Sequence, residues 1–447
     1  MRRRSSVRGA AVVDTAGILT TAQGGPRPAA GQSQAGPMAS PDQTAPRSAA
    51  RFFQDDDFNF VFHNMLGGAF YGVADVGACL AIADQITDGD SASAVQAMTA
   101  AGDRLAASAD RAAAAGRRVS ARDAYLQAAN YTFTASYFVD GMGAPERFGP
   151  IWLRHQALWD QGTALLDPPV EHVQIAYEGT SLPGFFYSVD GSRRRRPLLI
   201  FNNGSDGGLP SAWAMGIAPA LQRGYNCLAF WGPGQGTALV QQQLYFRPDW
   251  EHVIAPVVDY ALTRSDVDPA HVALLGISQG GYWVPRAVAF EQRIAAAVAD
   301  PGVWDVSTSW IQHFPPEMVQ LLDTGDKATF NQMIDEGIQQ QPALAAMIAF
   351  RTRPYGLPTL FDTLQAARQY TLAGVAERIR CPLLITDPDD ETFWPGQSQQ
   401  LYDALPGPRE LVRFTAAEGG DLHCEPKTPA LRAQRIFDWL DATLGPG

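Results

Sequence analysis

The residues of this chain best suited to chemistry are a serine and a group of carboxylates, each just past a strand-like segment, and a histidine beyond the last of these segments. Ser278 stands in Gly276-Ile277-Ser278-Gln279-Gly280-Gly281, after the apolar run 272–275 and before an apolar stretch, 282–290, with helical spacing. A G-x-S-x-G between strand and helix reads as a nucleophile elbow. The tight turn lifts the hydroxyl above the sheet, and small neighbours let the backbones pass. The helix N-terminus behind it favours developing negative charge. The chemistry implied is attack on a carbonyl through a covalent serine intermediate.

A serine needs a base. Of seven histidines, only His423 follows the last strand-like segment, where the chain order serine, acid, histidine demands it. It lies in a glycine-rich loop, 418–424, before a final helical stretch, 429–444. His63, His155, His252 and His313 come from helical segments and fit less well. For the acid, Asp387, Asp389, Asp390 and Glu391 compete just past the strand-like run 383–386. The usual hydrolase spacing places the acid ten residues past a Cys-Pro strand start, with a proline four residues later. Counted from Cys381, it selects Glu391 and puts Pro395 on the second mark, with Asp390 as the alternative. Two backbone N–H groups must face the developing oxyanion. The expected donors are Gln279, directly after the serine, and Ser205 in the loop 202–208, Asn-Asn-Gly-Ser-Asp-Gly-Gly. A second glycine-rich segment, Gly232-Pro233-Gly234-Gln235-Gly236, lacks the Lys-Ser/Thr ending and the G-x-G-x-x-G spacing of nucleotide loops, and reads as a structural turn.

The elements that must position these residues follow from periodicity. From 52 to about 166, apolar residues recur at three- and four-residue spacing in four helical stretches, 58–86, 92–115, 121–139 and 145–166. Asp167-Pro168-Pro169 ends this unit, which gives a helical domain over 51–168. The grammar then changes. Runs 170–177 and 182–189 alternate and flank Glu178-Gly179-Thr180, a hairpin signal. Strand-like runs at 198–201, 226–230, 272–275, 295–299 and 383–386 alternate with helical patterns, which implies a doubly wound, mostly parallel α/β sheet over 169–447. The residues between the last two runs, 301–380, are too many for a bare loop and read as an inserted helical cap.

Composition narrows the class. Of 447 residues, 46% are apolar and 18% charged, so a large core can be buried. Lys plus Arg number 34 against 46 Asp plus Glu, a net charge of -12, which argues against nucleic acid as partner. The basic run 193–196 reads as a solvated hairpin loop. No apolar stretch is long enough to span a bilayer. Cys79, Cys227, Cys381 and Cys424 form no C-x-x-C pair, so neither zinc nor a disulfide framework is expected. No cofactor and no metal are expected; the partner is a small-molecule substrate, and homodimerisation stays open. Residues 1–50, rich in Ala, Gly, Pro, Ser and Gln, read as a disordered extension. Its head, with Arg3, Arg4, Val7 and Arg8, resembles a twin-arginine export signal, although Asp14 weakens the apolar stretch behind it. A cytoplasmic and an exported protein are both compatible with this.

The run PVVDYALTRSDVDPAHVALLGISQGGYWVPRA resembles the α/β-hydrolase group that includes 2,6-dihydroxypseudooxynicotine hydrolase and the FrsA-like esterases. So do ARDAYLQAANYTFTASYF, FWGPGQG and YTLAGVAERIRCPLLI, and the similarity extends over about 52–444. The resemblance implies a helical N-terminal domain closing over a Ser-acid-His site. It also implies action on esters or on carbon–carbon bonds of β-diketone-like substrates, including chain-shortening of polyketide products. Members can carry an acid in the oxyanion loop, which Asp206 matches as a substrate-binding residue. The competing role for Asp206 is the N-cap of the next helix. Peptidases and acyltransferases use the same triad, but no four-strand propeller repeat is present to suggest an oligopeptidase. A binding module on an inactive scaffold would be expected to lack a triad member, and all three stand here.

Overall fold

The computed structural model describes residues 51–341 and 343–445. The N-terminal extension and its signal-like head lie outside the described residues. At the centre is an eight-stranded sheet in the order β1-β2-β4-β3-β5-β6-β7-β8. Strands β1 (Glu171–Tyr177) and β2 (Thr180–Tyr187) form an antiparallel hairpin. Its two-residue turn puts Glu178 and Gly179 at φ +39° and +81°, as a tight hairpin turn requires. Strand β2 then pairs antiparallel with β4 (Asn226–Phe230). All remaining pairs are parallel, through β3 (Arg196–Asn202), β5 (Val267–Ile277), β6 (Ala296–Asp300), β7 (Leu383–Pro388) and β8 (Arg409–Phe414).

Both faces of this sheet are covered, and for that reason the central strands read as continuous apolar runs. In β3, Leu198 and Ile200 enter one buried cluster while Leu199 and Phe201 enter the other. The first cluster takes the helix Gly280–Val288 through Tyr282, Trp283, Val284 and Ala287. Trp283 stacks on Trp250 with ring centroids 4.2 Å apart, a pairing that adds about 1 kcal/mol beyond area burial.

The second cluster is shared with the N-terminal helices. These are α1 (Asp56–Gly67), α2 (Val76–Ala83), α3 (Ser91–Ala114), α4 (Arg118–Ala135) and α5 (Phe148–Thr163). The stretch 58–86, read as one helical pattern, breaks into α1, a short 3₁₀ turn and α2, because Gly72 takes φ +77° at the turn. Tyr125, Trp152 and Trp159 from α4 and α5 are buried with Phe185, Phe201 and Leu384 of the sheet and Phe437 of the final helix, Pro429–Leu444. Helices α1 to α3 keep a further cluster around Phe58, Phe62 and Met98.

Between β6 and β7 run five short helices, Thr308–Ile311, Pro316–Thr324, Lys327–Gln340, Ala343–Thr352 and Leu360–Ala367. They pack on one another through Phe314, Met318, Phe330 and Leu364. The buried side chain of Asp140, past α4, pairs with Arg353 at 2.6 Å and ties this insertion to the N-terminal helices. Among the described residues no helix is long and apolar enough to cross a membrane.

Candidate active site

Ser278 sits between β5 and the helix Gly280–Val288 at φ +55°, a left-handed conformation that costs a non-glycine residue on the order of 1 kcal/mol or more. Packing holds it there. A Cβ on Gly276 would come within 2.4 Å of the Gly280 carbonyl oxygen, and one on Gly281 within 1.8 Å of the Pro301 oxygen. The Ser278 N–H donates to the Asp300 carbonyl at 2.6 Å. These contacts explain why small residues flank the serine.

His423 Nε2 lies 2.9 Å from Ser278 Oγ, and His423 Nδ1 lies 2.6 Å from Glu391 Oε2. The second oxygen of Glu391, Oε1, accepts the N–H groups of Phe393 and Trp394 at 2.9 and 3.1 Å. Both side chains are almost fully buried. The rings of Phe393, Trp394 and Phe60 surround the imidazole at 4.7, 5.7 and 6.3 Å. Asp390 is exposed, and its backbone N–H bonds Asp421 instead, so the geometry brings Glu391 and not Asp390 to the histidine. Asp389 is taken by Arg413 at 2.6 Å.

The histidine loop is clamped on two sides. Cys424 and Glu425 follow at φ +59° and +47°. Gly67 at the end of α1 is so close to Pro426 that a Cβ would come within 2.1 Å of its oxygen. Beneath the loop, Asp300 receives Arg432 Nε at 2.6 Å and the Thr386 hydroxyl at 2.8 Å, with Arg432 and Asp300 both wholly buried. Glu425 lies 3.4 Å from Arg432. Burial, reinforced by Asp300 and partly offset by Arg432, pushes the Glu425 carboxyl well above the usual carboxylate range.

The loop after β3 faces the serine from the other side. A Cβ on Gly204 would come within 2.8 Å of the Ser278 Cβ. Gln235 fixes this loop: its Nε2 donates to the carbonyls of Asn203 and Gly204, both at 2.8 Å, and its Oε1 accepts the Gly232 N–H at 3.0 Å. The segment read as a structural turn is thus a support for the loop opposite the serine. Among the described hydrogen bonds, the N–H groups of Ser205 and Gln279 have no protein acceptor, whereas that of Gly204 is taken by Asn203 Oδ1. From α4's end, the Tyr137 hydroxyl donates to the Asp206 carbonyl at 3.3 Å.

Asp206 does not cap the next helix. That helix begins at Leu209, and Gly208 stands at its N-cap without any side-chain bond. The Asp206 carboxylate instead lies 3.7 Å from Arg351 of the insertion, and both line a cavity of about 60 Å³. Ser205, Gln279, Tyr355, Phe393 and Trp394 share its walls with Trp310 and Phe350. His313 also reaches this cavity, whereas His63 and His155 sit in α1 and α5 and His252 in the helix Glu251–Thr263. His155 is wholly buried against Trp152 and Phe133, and burial lowers its pKa to about 3. Sequence reasoning missed Gln235, Arg351, Tyr355 and Phe60. For Gln235 a signal existed in the polar residue inside a glycine-rich turn; the other three arrive only through tertiary packing.

No family model matches this chain. It is 32% identical over 415 residues to Hydrolase LUC6 of a Fusarium species, covering 88% of this chain and 98% of that protein. Alpha/beta hydrolase psoB of Aspergillus fumigatus is 30% identical over 424 residues, with 88% and 95% covered. The chain is an α/β-hydrolase. A further relative of this hydrolase is 20-hydroxy-prefusarin hydrolase FUS2 of Gibberella moniliformis, 30% identical with 88% and 98% covered. Among solved structures, 2,6-dihydroxy-pseudo-oxynicotine hydrolase superposes on the α/β-hydrolase with a TM-score of 0.67 at 20% identity, covering 85% of this chain and 95% of the other. That likeness concerns the fold.

Proposed function

We propose that this hydrolase cleaves small carbonyl compounds, esters or β-diketone-type carbon–carbon bonds, through an acyl-enzyme on Ser278. The observation carrying the reading is the continuous chain of hydrogen bonds from Ser278 Oγ through His423 to Glu391. His423 Nε2 takes the serine proton as Oγ attacks, and Glu391 holds the Nδ1–H tautomer and stabilises the imidazolium. The N–H groups of Ser205 and Gln279 receive the oxyanion, a term worth roughly 10²–10³ in kcat for each such donor. His423 passes that proton to the leaving group, and water, deprotonated by the freed imidazole, then releases the acyl group. Asp206, held by Arg351 at the cavity wall, orients the substrate. The aromatic walls favour an apolar or aromatic acyl group, and the relative named for 20-hydroxy-prefusarin supports a small-molecule substrate.

The test is labelling with a fluorophosphonate, located by peptide mass spectrometry, alongside turnover of p-nitrophenyl esters and β-diketones. The adduct is expected on Ser278. Ser278→Ala should lose labelling and turnover while its thermal unfolding stays unchanged. A variant retaining more than a few per cent of activity, or an adduct elsewhere, overturns the assignment.

A further inference from the structure

Asp300, the last residue of β6, is wholly buried and is not one of the three side chains in the Ser-His-Glu relay. It nevertheless bonds to the element that carries each of them. Its carbonyl accepts the Ser278 N–H at 2.6 Å, which holds the nucleophile at φ +55°. The same carbonyl accepts the thiol of Cys424, the residue after His423, at 3.3 Å. One carboxylate oxygen accepts the Thr386 hydroxyl at 2.8 Å, and Thr386 stands on β7, the strand that leads into Glu391. The other accepts Arg432 Nε at 2.6 Å from the final helix.

Charge makes this arrangement stiff. Arg432 also donates to the Met215 carbonyl, and its Nε lies 3.4 Å from Glu425, in the loop of His423. Two carboxyl groups thus face one guanidinium, all of them out of water. A single retained proton makes the group neutral, and burial together with the Asp300 charge keeps that proton on Glu425. A buried ion deprived of its partner is strongly destabilising, so no member can move without stranding another. The histidine loop is therefore anchored, through Cys424 and Glu425, to the residue that also anchors Ser278.

We infer that Asp300 is the positioning residue that sets Ser278, Glu391 and His423 at reacting distance from one another. The inference rests on the serine-hydrolase reading and assigns the group that maintains its geometry. The 2.9 Å contact of His423 with Ser278 and the 2.6 Å contact with Glu391 each span two elements, so no single element fixes either. The bond from the Asp390 N–H to the Asp421 carbonyl, 2.8 Å, ties the acid loop to the histidine loop but leaves the serine out. Asp300 joins all three. Asparagine at this position would keep the carbonyl bonded to Ser278 and the size of the side chain, but not the charge. Arg432 must then take Glu425 as its counter-ion, and the loop of His423 follows Glu425. A displacement on the order of 1 Å in a reacting geometry costs about 10²-fold in rate.

The experiment measures kcat and KM on a p-nitrophenyl ester, and the rate of fluorophosphonate labelling, in the wild-type protein, Asp300→Asn, Thr386→Val and Thr386→Ser. Each is assayed at a temperature where thermal unfolding shows it to be native. Asp300→Asn is expected to lose about 10²-fold in kcat and in labelling rate, with KM changed far less. Thr386→Val keeps the shape of the side chain and removes one donor to Asp300; it is expected to lose about 10-fold in kcat. Thr386→Ser, which restores the hydroxyl, is expected to recover most of that loss. A residue that served stability alone would lower the melting temperature and leave kcat of the native protein unchanged. A native Asp300→Asn or Thr386→Val protein with wild-type kcat therefore overturns the assignment, and so does a Thr386→Ser protein as slow as Thr386→Val. If Asp300→Asn does not fold, the Thr386 pair decides. All of these leave the serine-hydrolase reading standing, whereas a wild-type protein unlabelled at Ser278 overturns that reading and the role of Asp300 with it.

Discussion

Replacing Glu391 by Gln is a change of one oxygen to one nitrogen, and the surrounding bonds dictate its outcome. Glu391 Oε1 accepts two backbone N–H groups, at 2.9 and 3.1 Å, while Oε2 faces His423 Nδ1 at 2.6 Å. A glutamine can keep only one carbonyl oxygen. Placing its NH₂ toward Phe393 and Trp394 would set donors against two donors, so the oxygen must stay there and the NH₂ must face Nδ1. His423 is then driven to the tautomer with its proton on Nε2, which cannot accept the Ser278 proton at 2.9 Å. The wrong tautomer in such a triad costs roughly 10⁴ in kcat, or about 5 kcal/mol of barrier. The assay is kcat on a p-nitrophenyl ester across pH, with thermal unfolding as the control for structure. Asp390→Asn, on an exposed side chain, should stay within about threefold of wild type, as surface changes generally do. A Glu391→Gln protein retaining more than about a tenth of wild-type kcat, or an Asp390→Asn protein that is the crippled one, would refute the tautomer argument.

Gln235→Leu removes both donors that hold the loop of Ser205, and kcat should fall about 10²-fold with little change in KM, as expected for an oxyanion donor displaced by an ångström; a kcat close to wild type would count against Gln235 as the support. His155, with a pKa of about 3 folded against 6.5 unfolded, binds its proton more readily in the unfolded chain, so stability is lost as pH falls from 6.5 toward 3. The loss is about 2 kcal/mol at pH 5, and His155→Phe should gain thermal stability over wild type as pH drops from 7 to 5; parallel curves would sink the idea. Glu425 has the opposite sign of effect: its raised carboxyl keeps a proton in the folded state, so its contribution is present below the ordinary carboxylate value and is lost as pH rises through the folded one. Glu425→Gln, which mimics the neutral acid, should therefore gain stability relative to wild type between pH 5 and pH 8, read by thermal unfolding; a gap that does not widen with pH would contradict it.

What could be read in the sequence follows from what position alone determines. Ser278 and Glu391 stand just past strand ends and His423 in the loop beyond the last strand, so chain order nominates the serine and the histidine, while the spacing from Cys381 favours Glu391 and leaves Asp390 as the alternative. Strand β8 escaped notice because Arg409, Glu410 and Arg413 make an edge strand look like a charged loop, and only Phe414 of its side chains is fully buried. The capping alternative for Asp206 came from a local rule, yet the helix starts past Gly208 and leaves the carboxylate facing Arg351, more than a hundred residues away in sequence. Tyr355 and Arg351 carry no local signature, because an aromatic or a cation on an amphipathic helical stretch looks the same whether it faces solvent, a core or a substrate.

The buried cluster that α4 and α5 share with the sheet has a consequence for how the chain is made. Trp152 and Trp159 leave the ribosome before Tyr187, Trp213 and Trp231, the aromatic residues that the two indoles meet. Until residue 231 is synthesised, the early helices present two indoles that are only partly covered, and long sequence separation slows such closure. A chain released before residue 187 would leave both indoles without these partners. The helical unit 51–168 made alone is therefore expected to expose two tryptophans that the sheet side of the molecule covers in the folded protein.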